Sequence, residues 1–142
     1  MAAVVEEVLR IIAVECRDNS IVVDTDVQTA RVLADRVQIQ QVLLNLAHNA
    51  IESMVDVADG AKRIAIRARR EGAEMLIEVS DQGCGLTDPA AVFEAFHTTK
   101  ASGMGMGLAI SRSIVEAHSG RLWASANQGI GTTFSFTLPL PL

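Results

Sequence analysis

The sequence predicts an α+β domain in which helices cover one face of a largely antiparallel sheet. Three observations carry that reading. Four short segments alternate apolar and polar residues on a period of two, and they fall into two pairs, each joined by a short glycine-bearing connection. Longer segments with helical spacing of apolar residues precede and separate those pairs. The chain of 142 residues is 49% hydrophobic and 20% charged, and no linker, repeat or low-complexity tract divides it, so residues 1–142 form one domain with its own core.

The elements follow in order. Residues 2–17 (AAVVEEVLRIIAVECR) are helical in composition, and IVVDTDV at 21–27 is short and β-branched, as a strand requires. A long helix runs from Asp35 to Met54, with Asp35 as N-cap and Gln38 three residues on, the pattern of a capping box. RIAIRAR at 63–69 and EMLIEVS at 74–80 form a hairpin across REGA, and RLWASAN at 121–127 pairs with TTFSFTL at 132–138 across QGIG. Between the hairpins lies a loop rich in glycine, threonine and proline, then a helix from about Met106 that Gly120 can terminate.

Composition excludes several functions. A net charge of -5 argues against general affinity for nucleic acid, since phosphate neutralisation needs a basic face. The apolar runs are far shorter than the roughly 18 to 20 residues that span a bilayer, and no signal-like segment opens the chain, so no direct membrane contact and a cytoplasmic location are expected. Cys16 and Cys84 lie far apart without C-x-x-C spacing, which makes a zinc site a poor reading.

Three constellations carry chemistry. On the long helix, Ile39, Leu43, Leu46, Ala50 and Met54 make a buried stripe, and Gln38, Gln41, Asn45, His48, Asn49 and Glu52 make a polar one. A solvated face is the plain explanation. Two asparagines four residues apart, however, are mediocre helix formers pointing the same way, and their amide oxygens suit a hard cation such as Mg²⁺. In IEVSDQGCGL, residues 77–86, Asp81 leaves a strand followed by Gly83 and Gly85. Asp and Gly are common turn formers, but a carboxylate beside backbone without Cβ atoms also suits a flat ring with an exocyclic amine, such as adenine. In SGMGMGL, Gly103, Gly105 and Gly107 run into a helix N-terminus, where unpaired N–H groups favour an anion such as phosphate. Thr98, Thr99 and Lys100 add two hydroxyls and a cation just upstream. The loop fits neither a Walker A motif nor a dinucleotide fingerprint, and the protein-kinase signatures are missing.

The order N-x-x-x-N, D-x-G-x-G, a phenylalanine-bearing segment and G-x-G-x-G-L resembles the catalytic ATP-binding domain of sensor histidine kinases. That family belongs to the wider GHKL superfamily with type II topoisomerases, Hsp90 chaperones and mismatch-repair ATPases. QVLLNLAHNAIESM is similar to the N box, DQGCG to the G1 box, FEAF to the F box, GMGMGL to the G2 box and GIGTTF to the last glycine motif. ADRVQIQQVLLNLAHNA and TTKASGMGMGLAISRSIVEAHSG resemble the oxygen-sensing FixL kinases and their nitrogen-regulatory relatives.

The resemblance implies the Bergerat ATP-binding fold, a two-layer α/β sandwich whose mixed, largely antiparallel sheet is covered on one face by helices. It implies ATP and Mg²⁺ as ligands, with Asn49 on the metal helped by Asn45, and Asp81 on the adenine amino group. Gly83 and Gly85 would pass beside the ring, with Thr132 near Asp81 at the base. Gly103, Gly105, Gly107 and Leu108 would lie by the phosphates with Thr98, Thr99 and Lys100, the last as a phosphate cation. Residues 86–102 would form a lid anchored by Phe93 and Phe96. His48 stands where relatives carry a basic residue, which implies a phosphate contact against the plain reading of a solvated imidazole. His97, Met104 and Met106 depart from the family pattern. The implied partners are the phosphoacceptor helical-hairpin domain of the same kinase dimer and a downstream response regulator, the isolated domain being a monomer. A hydrolytic GHKL ATPase and a non-catalytic nucleotide-binding module are the alternatives. Position 45 favours the kinase, because hydrolytic relatives carry there a glutamate that activates water, and an amide cannot take that proton.

Overall fold

The computed structural model describes residues 1–55, 57–58, 60–83, 107–127 and 131–141. Helix α1 (Ala2–Asp18) buries Val4, Val5, Val8, Ile12 and Cys16, which recur every three to four residues along one face. Burial, with a smaller contribution from Glu15, pushes the Cys16 thiol up, so it is an inert core residue. The helix ends in a Schellman motif: the Ile21 N–H donates to the Cys16 carbonyl at 2.8 Å and the Ser20 N–H to Arg17 at 3.2 Å, with Ser20 left-handed at φ 57°. Strand β1 (Val22–Val27) follows at once.

Helix α2 (Arg36–Ser53) starts where expected. The Asp35 carboxylate accepts from the N–H groups of Val37 at 2.9 Å and Gln38 at 3.1 Å. The return bond of the expected capping box is made differently. The Asp35 N–H donates to Nε2 of His118 at 3.0 Å, so a residue distant in sequence supplies what Gln38 was expected to supply.

Strands β2 (Arg63–Glu71) and β3 (Glu74–Asp81) pair as far as Glu71↔Glu74, which shortens the expected four-residue connection to Gly72 and Ala73. Gly72, at φ 63°, occupies the first central position, as a type II′ turn asks. Helix α3 (Gly107–Ala117), strand β4 (Leu122–Ala126) and strand β5 (Thr132–Pro139) complete the described elements, with β4 and β5 antiparallel. A second Schellman motif closes α3: Ser119 donates to Glu116 and Gly120 to Val115, each at 3.0 Å, with Ser119 at φ 64°. The left-handed residue is therefore Ser119. Gly120 is required for another reason, since a Cβ there would collide with the Thr137 carbonyl oxygen of β5.

The sheet order is β1-β2-β3-β5-β4. The pair β1 and β2 is parallel, with α2 in the crossover that parallel pairing needs, and the other described pairings are antiparallel. The three described helices lie side by side, with α1 against α2 and β1, α2 against β2 and β3, and α3 against β4 and β5. The fold is thus the expected two-layer α+β sandwich. Ile64, Ile66, Met75, Ile77, Phe136 and Leu138 line the buried face of the sheet, and every member of the predicted α2 stripe, from Ile39 to Met54, is buried. The other face carries Arg63 paired with Asp24 at 3.2 Å and Arg69 near Glu78 at 3.6 Å, exposed pairs that add little stability. No described helix is long and apolar enough to cross a membrane.

Candidate functional site

Three side chains one helical turn apart, Asn45, Asn49 and Ser53, define a partly buried polar stripe on α2. At one end, Asn45 Nδ2 donates to Ser111 Oγ at 3.0 Å and approaches the Gly107 carbonyl oxygen at 3.4 Å, so the stripe begins at the first turn of α3. At the other end, Ser53 donates to the Ala50 carbonyl at 2.8 Å and lies directly against Gly83. A Cβ at Gly83 would collide with the Ser53 side chain and carbonyl, so this glycine lets the end of β3 reach α2. From position 45 to position 53 the helix rises roughly 12 Å at 1.5 Å per residue. The stripe connects a helix N-terminus to the strand end that carries Asp81.

Asp81 is 3% exposed. Its Oδ1 accepts from the Gly83 N–H at 2.8 Å, the side-chain turn that the Asp-x-Gly spacing favours. Its main chain is held as well. Asn127 Nδ2 donates to the Asp81 carbonyl at 3.0 Å, Thr133 Oγ1 donates to Asn127 Oδ1 at 2.5 Å, and Ser80 Oγ lies 2.7 Å from Thr133 Oγ1. The β3–β5 register ends at Ser80↔Thr133, and one further step sets Thr132, itself buried, opposite Asp81. Gly131, at φ 98°, passes so close that a Cβ would strike the Asp81 carbonyl oxygen.

The structure therefore brings Asn45 to Gly107, and Asp81 to Gly83 and Thr132. At Gly107 a Cβ would meet Asn45 only at ordinary contact distance, 3.8 Å, so no described residue excludes a side chain there. Leu108 packs against the core. His48 is turned to α1, its Nε2 lying 3.2 Å from Glu15 Oε1, a contact the sequence reading did not include. Gly85, Thr98, Thr99, Lys100, Gly103 and Gly105, together with Cys84, Phe93, Phe96, His97, Met104, Met106 and the expected lid, lie outside the described residues.

Three residues that shape the site, Ser53, Ser111 and Asn127, were given no role from the sequence, whereas Gly131 belongs to the GIGTTF motif. Ser53 and Asn127 act on backbone that is distant in sequence and brought together only by the fold. Ser111 carried a visible signal: it occupies the buried spacing Leu108, Ser111, Val115, where an apolar residue would be ordinary. Among the described residues no group of three or more His, Cys, Asp or Glu side chains could hold a metal ion. The oxygen donors along the stripe are two amides and a hydroxyl, all neutral. A cation there would take most of its ligands from water and a bound anion, as Mg²⁺ does on nucleotides. A buried carboxylate at one end and the N-terminus of α3 at the other suit a ligand with an amine-bearing ring and an anionic tail.

Residues 34–142 match the family described as histidine kinase-, DNA gyrase B-, and HSP90-like ATPase. The sensor protein FixL of Bradyrhizobium diazoefficiens is 53% identical over 112 residues, which are 76% of this chain and 22% of that protein. The chain thus spans a minor part of that relative's length. The catalytic domain of the histidine kinase ThkA, in a nucleotide-free form, superposes with a TM-score of 0.88 at 30% identity, covering 99% of this chain and 92% of that one. ThkA in complex with the response regulator protein TrrA matches with a TM-score of 0.83 at 27% identity, over 99% of this chain and 40% of that one.

Proposed function

The chain belongs to the family of histidine kinase-, DNA gyrase B- and HSP90-like ATPases, and from that premise we propose that it is the catalytic domain of a sensor histidine kinase. It binds Mg-ATP and transfers the γ-phosphate to a histidine on a separate phosphoacceptor domain. The observation that carries this reading is the stripe Asn45, Asn49, Ser53, which runs from the first turn of α3 to the strand end holding Asp81. That is the separation of the two ends of a nucleotide, with Asp81 accepting from the adenine amine and the α3 N-terminus facing phosphate.

Asn49, helped by Asn45, would hold Mg²⁺, which when bound would neutralise charge on the phosphates. The protein's own contribution is positioning: Asp81 orients the base, the α3 N–H groups fix the phosphates, and the core beneath them excludes water. On sequence grounds Lys100, Thr98 and Thr99 join the phosphate contacts with Gly103 and Gly105, and Gly85 passes beside the base. The amide at position 45 supplies no base to activate water, which favours transfer over hydrolysis.

This reading makes residues 1–142 a single monomeric unit of a larger cytoplasmic signalling assembly. Its partners are the phosphoacceptor helical hairpin of the same kinase dimer and a response regulator, a pairing supported by the likeness to ThkA bound to TrrA. Titration with a fluorescent ATP analogue tests the site. Asn49→Ala, at a partly exposed helix position, should keep the fold and lose most of the Mg-dependent affinity. Unchanged Mg-dependent affinity in the folded variant would remove Asn49 from the metal.

A further inference from the structure

We propose that Ser111 is a positioning residue whose hydroxyl seats the Asn45 amide against the Gly107 carbonyl, so that its oxygen rather than its nitrogen is presented to a cation on the α2 stripe. The inference rests on the nucleotide reading above and adds to it a residue that touches neither nucleotide nor metal. The geometry begins with burial. Ser111 is fully buried on the stripe Leu108, Ser111, Val115, by which α3 packs, and a serine in that place needs a polar partner. A helical serine can satisfy itself by bonding the carbonyl four residues back, as Ser113 does with Ala109 at 3.1 Å. Ser111 Oγ instead accepts from Asn45 Nδ2 across the helix interface at 3.0 Å.

Together with the Gly107 carbonyl, that bond holds one of two states of the amide. Asparagine Oδ1 and Nδ2 are nearly the same size, and a half-turn about the last side-chain bond exchanges them. In the state seen, Nδ2 faces Ser111 Oγ, a hydroxyl that can meet either end of an amide, and the Gly107 carbonyl oxygen, which only accepts and so selects the donor. In the exchanged state Oδ1 would face the Gly107 carbonyl, acceptor against acceptor, and the amino group would face the stripe. An –NH₂ group cannot ligate a hard cation. Of the two α3 oxygens, Ser111 makes the shorter contact, and the Gly107 carbonyl at 3.4 Å is too long to hold the amide alone. The same contact explains why position 45 carries an amide here. A carboxylate would turn an oxygen toward the Gly107 carbonyl, where the amide offers a hydrogen.

The test compares the parent chain with Ser111→Ala and with Ser111→Cys, whose thiol is close to a hydroxyl in size and accepts weakly. Two readouts are taken: the affinity for a fluorescent ATP analogue in Mg²⁺ and in EDTA, and the side-chain amide resonances of Asn45 in the nucleotide-free protein. Ser111→Ala should cut the gain in affinity that Mg²⁺ confers by about three- to tenfold, the size of one lost hydrogen bond, and leave the EDTA affinity unchanged. The Asn45 amide protons should move toward the shifts of an exposed amide, and Ser111→Cys should fall between alanine and parent. Equal losses with and without Mg²⁺ would make Ser111 merely structural and overturn the inference, as would unmoved amide resonances. A parent that binds nucleotide without any Mg²⁺ dependence would leave the nucleotide reading standing and overturn this one. A parent that binds no nucleotide at all overturns both, and the two failures are told apart by the EDTA arm.

Discussion

The carboxylate of Asp81 is placed by three neighbours of different kinds: the Gly83 N–H on its side chain, the Asn127 amide on its carbonyl, and Gly131 passing where no side chain fits. Only the first is local. The Asp-Gly spacing was therefore legible in the sequence, whereas Asn127 was not, because what it grips is a main-chain oxygen 46 residues away. Ser53 was hidden for the same reason, its meaning depending on a glycine across the layer. Asp81→Asn tests the base contact with little disturbance of the strand. Asparagine can still accept from the Gly83 N–H through its oxygen, but it replaces the second carboxylate oxygen with a donor, which would face the donor of the adenine amine. We expect an unchanged melting temperature within a few degrees and a loss of about 1.5 to 3 kcal/mol in ATP binding, the range for hydrogen bonds to charged groups. That is roughly a ten- to hundredfold weaker Kd by titration. Parent-like affinity in the folded variant would take Asp81 out of base recognition.

Helices and strands were legible from periodicity, and what the sequence concealed was how they stop and what joins their ends. The α2 stripe of Ile39, Leu43, Leu46, Ala50 and Met54 is buried as its spacing requires, since that pattern depends only on the helix itself. The end of α3 depends on more. Gly120 looked like the terminator, yet the left-handed residue is Ser119, and the glycine is kept for close approach to β5. Helix α1 ends in the same way at Ser20. A non-glycine residue in this conformation costs on the order of 1 kcal/mol, so both helix ends hold a removable strain. Ser20→Gly and Ser119→Gly should each raise stability by about 0.5 to 1 kcal/mol, less than the full strain because glycine also frees the unfolded chain. Lying at the ends of different helices, the two changes should add. Urea unfolding with an unchanged slope is the measurement. A loss of stability in either variant would show that the serine side chain makes a contact worth more than the strain.

The whole molecule has three histidines, and their surroundings decide whether it can carry the phosphate it is proposed to transfer. His118 has both ring nitrogens engaged. Nε2 accepts from the Asp35 N–H at 3.0 Å, so Nδ1 holds the proton and donates to the Ile114 carbonyl at 2.8 Å. It stitches the end of α3 to the start of α2, and it stands eleven residues beyond Gly107, roughly 16 Å from the helix end proposed to face phosphate. His48 is paired with Glu15 on α1, and an imidazole so directed is not aligned for attack on a phosphate at the α3 N-terminus. His97 lies outside the described residues, in the segment that the resemblance assigns to a lid. A kinase built this way needs its acceptor from another domain. The chain should therefore bind ATP yet accumulate no stable phosphohistidine when incubated with γ-labelled ATP. Adding a dimeric histidine-bearing helical hairpin from a related kinase should yield a labelled product that is acid-labile and base-stable. A His118→Ala variant sharpens the point, because it should lower stability through loss of the two bonds, about 1 kcal/mol each, while transfer to the added hairpin persists in the folded fraction. Strong labelling of the isolated chain, or rapid release of free phosphate from it, would overturn this division between a domain that holds the nucleotide and one that receives its phosphate.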